Sequence, residues 1–310
     1  MVASSLPSCI TKPQLWANRL ASRLAVAPHL GIYAGMAEGM LPGFLTRAPR
    51  VSVIRLAGLI APPGGVRAGA LSLESMAGPI ARAFAVRRLA EVALAINSPG
   101  GSPVQSSLIA GRIRALAEEK GVRVTSFVQD VGASGGYWLA CAGDEIFCDE
   151  SSILGSIGVV SAGFGFARAL ARLGIERRLY TAGARKMLLD PFGPEREEEV
   201  ARLRAVQAEI HESFKAWVRA RRSTRLKASE EELFSGEFWP GRRAVALGLA
   251  DGIGELRATM RARHGERVRF AVFGAPRKPF WMRFLPGSDG LAAALVDTLA
   301  ERAAFARYGL

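Results

Sequence analysis

Histidine, lysine and cysteine are all scarce in this chain, and each shortage removes a class of structure or chemistry. The three Cys, at 9, 141 and 148, are odd in number and widely spaced, which excludes a disulfide framework and leaves reduced thiols as the expectation. The three His, at 29, 211 and 264, and the six Lys, at 12, 120, 186, 215, 227 and 278, restrict any general base to a short list plus the carboxylates. No stretch approaches the roughly 20 mainly apolar residues of a spanning helix. The most apolar early segment, Leu30–Leu45, is broken by Glu38 and four Gly, and Lys12, Arg19 and Arg23 interrupt any signal-peptide core. A soluble or peripherally attached protein follows, placed in the cytoplasm or at the inner membrane surface.

What is present is 310 residues, 49% hydrophobic and 22% charged, with 34 Gly, a profile that excludes disordered and fibrous classes. The net charge of +13 raises nucleic acid and anionic membrane as partners. Its Arg are scattered, however. Arg219, Arg221, Arg222 and Arg225 end a long predicted helix, where cations suit the macrodipole. Arg277, Lys278 and Arg283, interleaved with Phe280, Trp281 and Phe284, resemble an interfacial anchor. Peripheral membrane contact and no nucleic acid are therefore expected.

Three regions emerge: an N-terminal extension over 1–50, an α/β domain over 51–273 and a basic, aromatic and helical tail over 274–310. Within the domain, short apolar runs alternate with helical patterns and Gly-rich turns. Strands are expected at Val51–Ile60, Glu91–Ile96, Val122–Val128, Glu145–Cys148, Glu176–Tyr180 and Val268–Val272. Helices are expected at Pro79–Arg88, with Pro79 in the first helical position, at Val104–Glu119, at Phe166–Leu173 and at Pro194–Arg222. The last carries an apolar stripe of Val200, Leu203, Val206, Ile210, Phe214, Trp217 and Val218, read as a packing face, with His211 beside it as a structural or surface residue. Strand–helix–strand units imply parallel pairing.

Three turns hold the chemistry: Ser98-Pro99-Gly100-Gly101-Ser102, Gly132-Ala133-Ser134-Gly135-Gly136 and Leu154-Gly155-Ser156-Ile157-Gly158. Gly permits close backbone approach, and free N–H groups at a helix start stabilise negative charge, which is how an oxyanion hole is made. Ser134 is the nucleophile candidate, a plain N-cap being its other reading. None of the turns fits a P-loop or a dinucleotide fingerprint. Lys186 sits among small residues in Thr181-Ala182-Gly183-Ala184-Arg185-Lys186, ahead of Met187-Leu188-Leu189. A free Lys is neutral in only about one molecule in 2,500 at pH 7, so a basic Lys needs desolvation or a nearby cation. Apolar neighbours and Arg185 offer both; an exposed loop Lys is the other reading.

From about Val51 to Gly254 the chain resembles the S49 peptidases, the signal peptide peptidase A group of the ClpP/crotonase superfamily. The resemblance rests on Asn97–Gly101, Ala133-Ser134-Gly135-Gly136-Tyr137, Gly155–Val159, the Gly183–Lys186 turn and Ser235–Gly254. It implies an α/β fold, a ClpP/crotonase-like repeated β-β-α superhelix with a mostly parallel sheet. It further implies a Ser/Lys dyad with Ser134 as nucleophile, Lys186 as general base and Ser156 orienting Lys186. The oxyanion amides would be Gly100, with Gly101 beside it and Gly135 as a second donor. Short members of the family form rings in which Ser and Lys come from neighbouring subunits, so a homo-oligomer acting on a peptide or protein substrate is expected. No cofactor and no metal is implied. Two departures are the broken segment 1–50 in place of a membrane anchor and Pro240 where a small hydroxyl residue is expected. The competing functions are a crotonase-type acyl-CoA enzyme, which would need a carboxylate at the site, and a membrane-surface scaffold acting through 277–284.

Overall fold

The computed structural model describes residues 48–63, 70–183, 185–274 and 302–309. The N-terminal extension through Arg47, the basic aromatic segment 277–284 and Cys9 lie outside the described residues. The apolar runs form β1 (Arg50–Ala57), β2 (Leu89–Ser98) and β3 (Val124–Ala133), joined by shorter β4 (Glu145–Cys148), β5 (Ile153–Gly155), β6 (Phe238–Pro240), β7 (Gly252–Ile253) and β8 (Arg269–Phe273). They make one sheet in the order β6-β5-β3-β2-β1-β8, with β4 between β3 and β7. Every pairing is parallel except β5 with β6.

The near-continuous hydrophobicity of β1 and β2 is explained by burial on both faces. Side chains alternate with the pleat. Ile54, Leu56, Val92, Leu94 and Ile96 enter the larger core, whereas Val51, Val53, Ala93 and Ala95 enter a smaller core with Phe127 and Met260. Helices α1 (Leu73–Phe84), α2 (Pro103–Lys120) and α3 (Gly135–Ala140) contribute to the larger core. Three further helices follow: α4 (Ala167–Arg172), α5 (Glu197–Arg222) and α6 (Glu230–Leu233). Then come α7 (Gly241–Ala246) and α8 (Leu256–His264), whose Met260 enters the smaller core.

Three local expectations need correction. Pro79 lies inside α1, which begins six residues earlier because Ser72 and Ser75 form a reciprocal capping box. Residues 176–180 form no strand, since the segment is exposed and finds no ladder to join. The α5 stripe packs only toward its C-terminal end: Phe214 and Val218 are buried, while Val206 is 52% exposed.

The β3 strand places the candidate site. Its first half pairs with β4 and its second half with β5, while Ser98 at the end of β2 stands opposite Gly132. Because β2, β3 and β5 run in one direction, their three Gly-rich exits emerge at the same edge of the sheet. Open parallel sheets bind ligands at such carboxyl ends.

Candidate active site

Ser134 links β3 to α3 with φ 53° and ψ −122°. A non-glycine residue held at positive φ costs about 1–3 kcal/mol and persists only where its surroundings enforce it. Here the Ser134 N–H donates to Gly155 O at 2.8 Å, continuing the β3–β5 ladder through the turn. The side chain makes no capping bond to α3, although Ser134 occupies the N-cap position. A plain N-cap would spend its oxygen on the helix. A sharp strand-to-helix turn of this kind presents a serine hydroxyl outward.

Gly100 is at φ +99°, and a Cβ there would stand 2.8 Å from Ser134 Cβ and 2.7 Å from the Gly135 nitrogen. Only a residue without a side chain brings this turn so close to the serine. Its N–H, expected from the sequence to lead the oxyanion hole, donates here to the Ser98 hydroxyl oxygen at 3.2 Å, and that hydroxyl donates to Gly58 O at 2.7 Å. The Gly101 nitrogen lies 3.3 Å from where a Gly135 Cβ would be. Neither the Gly101 nor the Gly135 amide is bound to an acceptor among the described residues. Two free donors beside a serine are the arrangement that stabilises a tetrahedral oxyanion.

Ser156 mirrors Ser134, with φ 52° at the exit of β5. Its N–H donates to Glu237 O at 2.6 Å, tying the turn to β6. Ser134, Ser156, Gly100 and Gly101 line one cleft of about 670 Å³. Its described lining contains no Asp or Glu, the group an acyl-CoA chemistry would need. Cys141 and Cys148 offer no alternative nucleophile: both are buried, and burial pushes each thiol up to about 12.

Lys186 stands apart. It is exposed, lies on a turn closed by its own N–H to Gly183 O at 3.1 Å, and does not line the cleft. The chain therefore brings together five of the six expected site residues around one serine or its neighbouring amides and leaves the lysine outside. Two features of the cleft escape the reading of the sequence. His211 of α5 lines it, its Nε2 3.0 Å from Ile157 O. The signal was present, because 211, 214 and 218 share a helical face. Residues 302–309 also reach the cleft: Ala304 and Arg307 line it, and Tyr308, 9% exposed, packs edge-on against Phe238 with its hydroxyl 3.4 Å from Pro99 O and Ser156 Oγ. No periodicity in so short a helical segment, residues 302–306, announces such a contact.

The chain is 47% identical over 295 residues to a protein of Brucella abortus named Na(+)/H(+) antiporter NhaA, covering 88% of this chain and 40% of that one. Among the described residues no helix is long and apolar enough to cross a membrane, and the antiporter name is said of that longer protein alone. A serine protease SPPA, chloroplastic, of Arabidopsis thaliana is 31% identical over 209 residues, 66% of this chain and 29% of its own. A protein of Haemophilus influenzae named "Probable protease SohB" is 32% identical over 163 residues, 53% of this chain and 45% of its own. The chain thus spans less than half the length of each of these three relatives. The family described as Peptidase family S49 matches residues 116–268, a span that holds Ser134, Ser156 and Lys186. A serine at a strained strand exit, free amides beside it and protease relatives across the same span agree, and residues 116–268 form a peptidase family S49 region.

Proposed function

We propose that this protein is a serine endopeptidase in which Ser134 attacks a peptide carbonyl and Lys186 of a neighbouring copy takes its proton. The peptide carbon gains the Ser134 oxygen as its carbonyl becomes an oxyanion, held by the Gly101 and Gly135 amides with Gly100 beside them. The protonated lysine then passes its proton to the departing amine, leaving an acyl-enzyme for water to hydrolyse. Ser156, in the same cleft, orients the incoming lysine. Signal-peptide remnants and other membrane-associated peptides are the substrates this reading favours.

The observation that carries the reading is Ser134 itself, strained, uncapped and flanked by two unspent amides. Support for a lysine supplied in trans comes from the segment around Lys186, where Phe164, Leu173 and Tyr180 are 82%, 71% and 88% exposed. Apolar surface of that extent is the mark of an unfilled interface.

Complementation tests both parts. Ser134→Ala and Lys186→Ala should each be inactive toward a fluorogenic peptide while remaining folded. Mixed in equal amounts after dissociation and reassembly, they should recover about one quarter of wild-type activity, since half the chains bring a serine and half their neighbours a lysine. Activity in Ser134→Ala alone would refute the nucleophile. No recovery on mixing, with mixed oligomers verified, would place both groups in one chain.

A further inference from the structure

Along one face, helix α5 contacts both α3, the helix that follows the Ser134 turn, and the Ser156 turn. Arg221 Nε donates to Cys141 O at 2.9 Å, at the C-terminal cap of α3. One turn back, Trp217 Nε1 donates to Trp138 O at 3.0 Å. Phe214 stacks on the Trp138 ring with centroids 4.8 Å apart. These three contacts lock α5 to α3, the helix that starts immediately after Ser134. The next residue along the same face is His211, and its partner lies in the other turn: Nε2 meets Ile157 O at 3.0 Å. A carbonyl only accepts, so the ring must carry its proton on Nε2. Ile157 is fully buried and directly follows Ser156.

We infer that His211 is a positioning residue, which fixes the Ser156 turn at a set distance from Ser134 by pinning Ile157 O to the helix that also holds α3. This deepens the serine-peptidase reading and rests on it. Among the described residues the Ser156 turn has two other backbone ties out of its own loop: Gly155 O accepts the Ser134 N–H at 2.8 Å, upstream of Ser156, and the Ser156 N–H donates to Glu237 O from the β6 side. The α5 side is held by the imidazole. Without it, a buried carbonyl is left without its donor and the Ile157 side of the turn loses its tie to α5, and displacements near 1 Å at a site cost about 100-fold in rate.

The test uses the full chain with His211→Met, which fills similar space without a donor, and His211→Gln, whose amide can donate to the same oxygen. Peptide turnover and the rate of fluorophosphonate labelling at Ser134 are measured for each, with Ser134→Ala as the control. In His211→Met, kcat and the labelling rate should fall about 10- to 100-fold while KM stays within about twofold. His211→Gln should recover to within about threefold of wild type with an unchanged pH profile, because a positioned donor rather than a titrating group is required. Wild-type kcat in His211→Met overturns the inference, as does a His211→Gln variant impaired as badly or lacking one limb of the pH profile. If His211→Met does not fold, the Gln variant decides alone on the same criteria. Turnover surviving in Ser134→Ala would instead remove the underlying peptidase reading, a separate outcome.

Discussion

Gly136 shows how little slack surrounds the nucleophile. It is the second residue of α3, and a Cβ there would stand 2.2 Å from Ser98 O, the carbonyl that closes β2. Neither atom can yield cheaply, because Ser98 is in register with Gly132 and its hydroxyl is bonded to Gly58 O. Gly136→Ala must therefore separate α3 from β2, at a cost of about 1–3 kcal/mol. The expected result is a lower urea midpoint with an unchanged slope, together with slower fluorophosphonate labelling of Ser134. A variant as stable and as reactive as wild type would show that the turn tolerates more than its packing implies.

At the scale of elements, α5 is anchored by a buried charge. Arg222 is 2% exposed; its Nη1 meets Asp251 Oδ2 at 2.7 Å and its Nη2 meets Gly248 O at 2.8 Å. Removing one partner of a buried pair costs about 3–5 kcal/mol, more than the pair contributes as a whole. Arg222→Ala should be strongly destabilised in urea, and Asp251→Asn in that background should add less than it does alone. Strict additivity would mean the two groups do not act as a unit. The sequence reading assigned this Arg to the helix macrodipole, which the basic last turn of α5 does satisfy. It could not anticipate Asp251, 29 residues on, because ion-pair partners depend on the packing of distant elements. The three glycine turns were legible for the opposite reason. Each is a local break after a local apolar run, and parallel pairing then forces the three exits to one edge. The strand expected at residues 176–180 failed where local hydrophobicity had no neighbour to pair with. The position of Lys186 relative to Ser134 was likewise beyond reach, since spacing along a chain fixes residue types and not which copy they serve.

For the whole molecule, two carboxylates collect the cations of several elements. Asp144 receives Arg114, Arg221 and the Val124 N–H, while Asp251 receives Arg222, Arg225 and the Ile146 N–H. Burial pushes both carboxyls up, but the guanidinium groups and backbone donors outweigh it and hold each below the ordinary aspartate range. A folded value below the unfolded one gives stability that is complete above about pH 4 and lost as pH falls through the lower folded values. The melting temperature should accordingly decline on acidification below about pH 4, and Asp144→Asn should flatten part of that decline; an unchanged slope in the variant would assign it to other groups. The exposed apolar side chains near Lys186 carry a different consequence. Under the proposed division of the catalytic centre between copies, activity obeys mass action, so concentration itself becomes a control on proteolysis. Specific activity should be constant at high protein concentration and fall on dilution through the dissociation constant, sooner when Phe164→Ser or Tyr180→Ser weakens the contact. Chains synthesised singly would then be inert toward their surroundings until enough of them met.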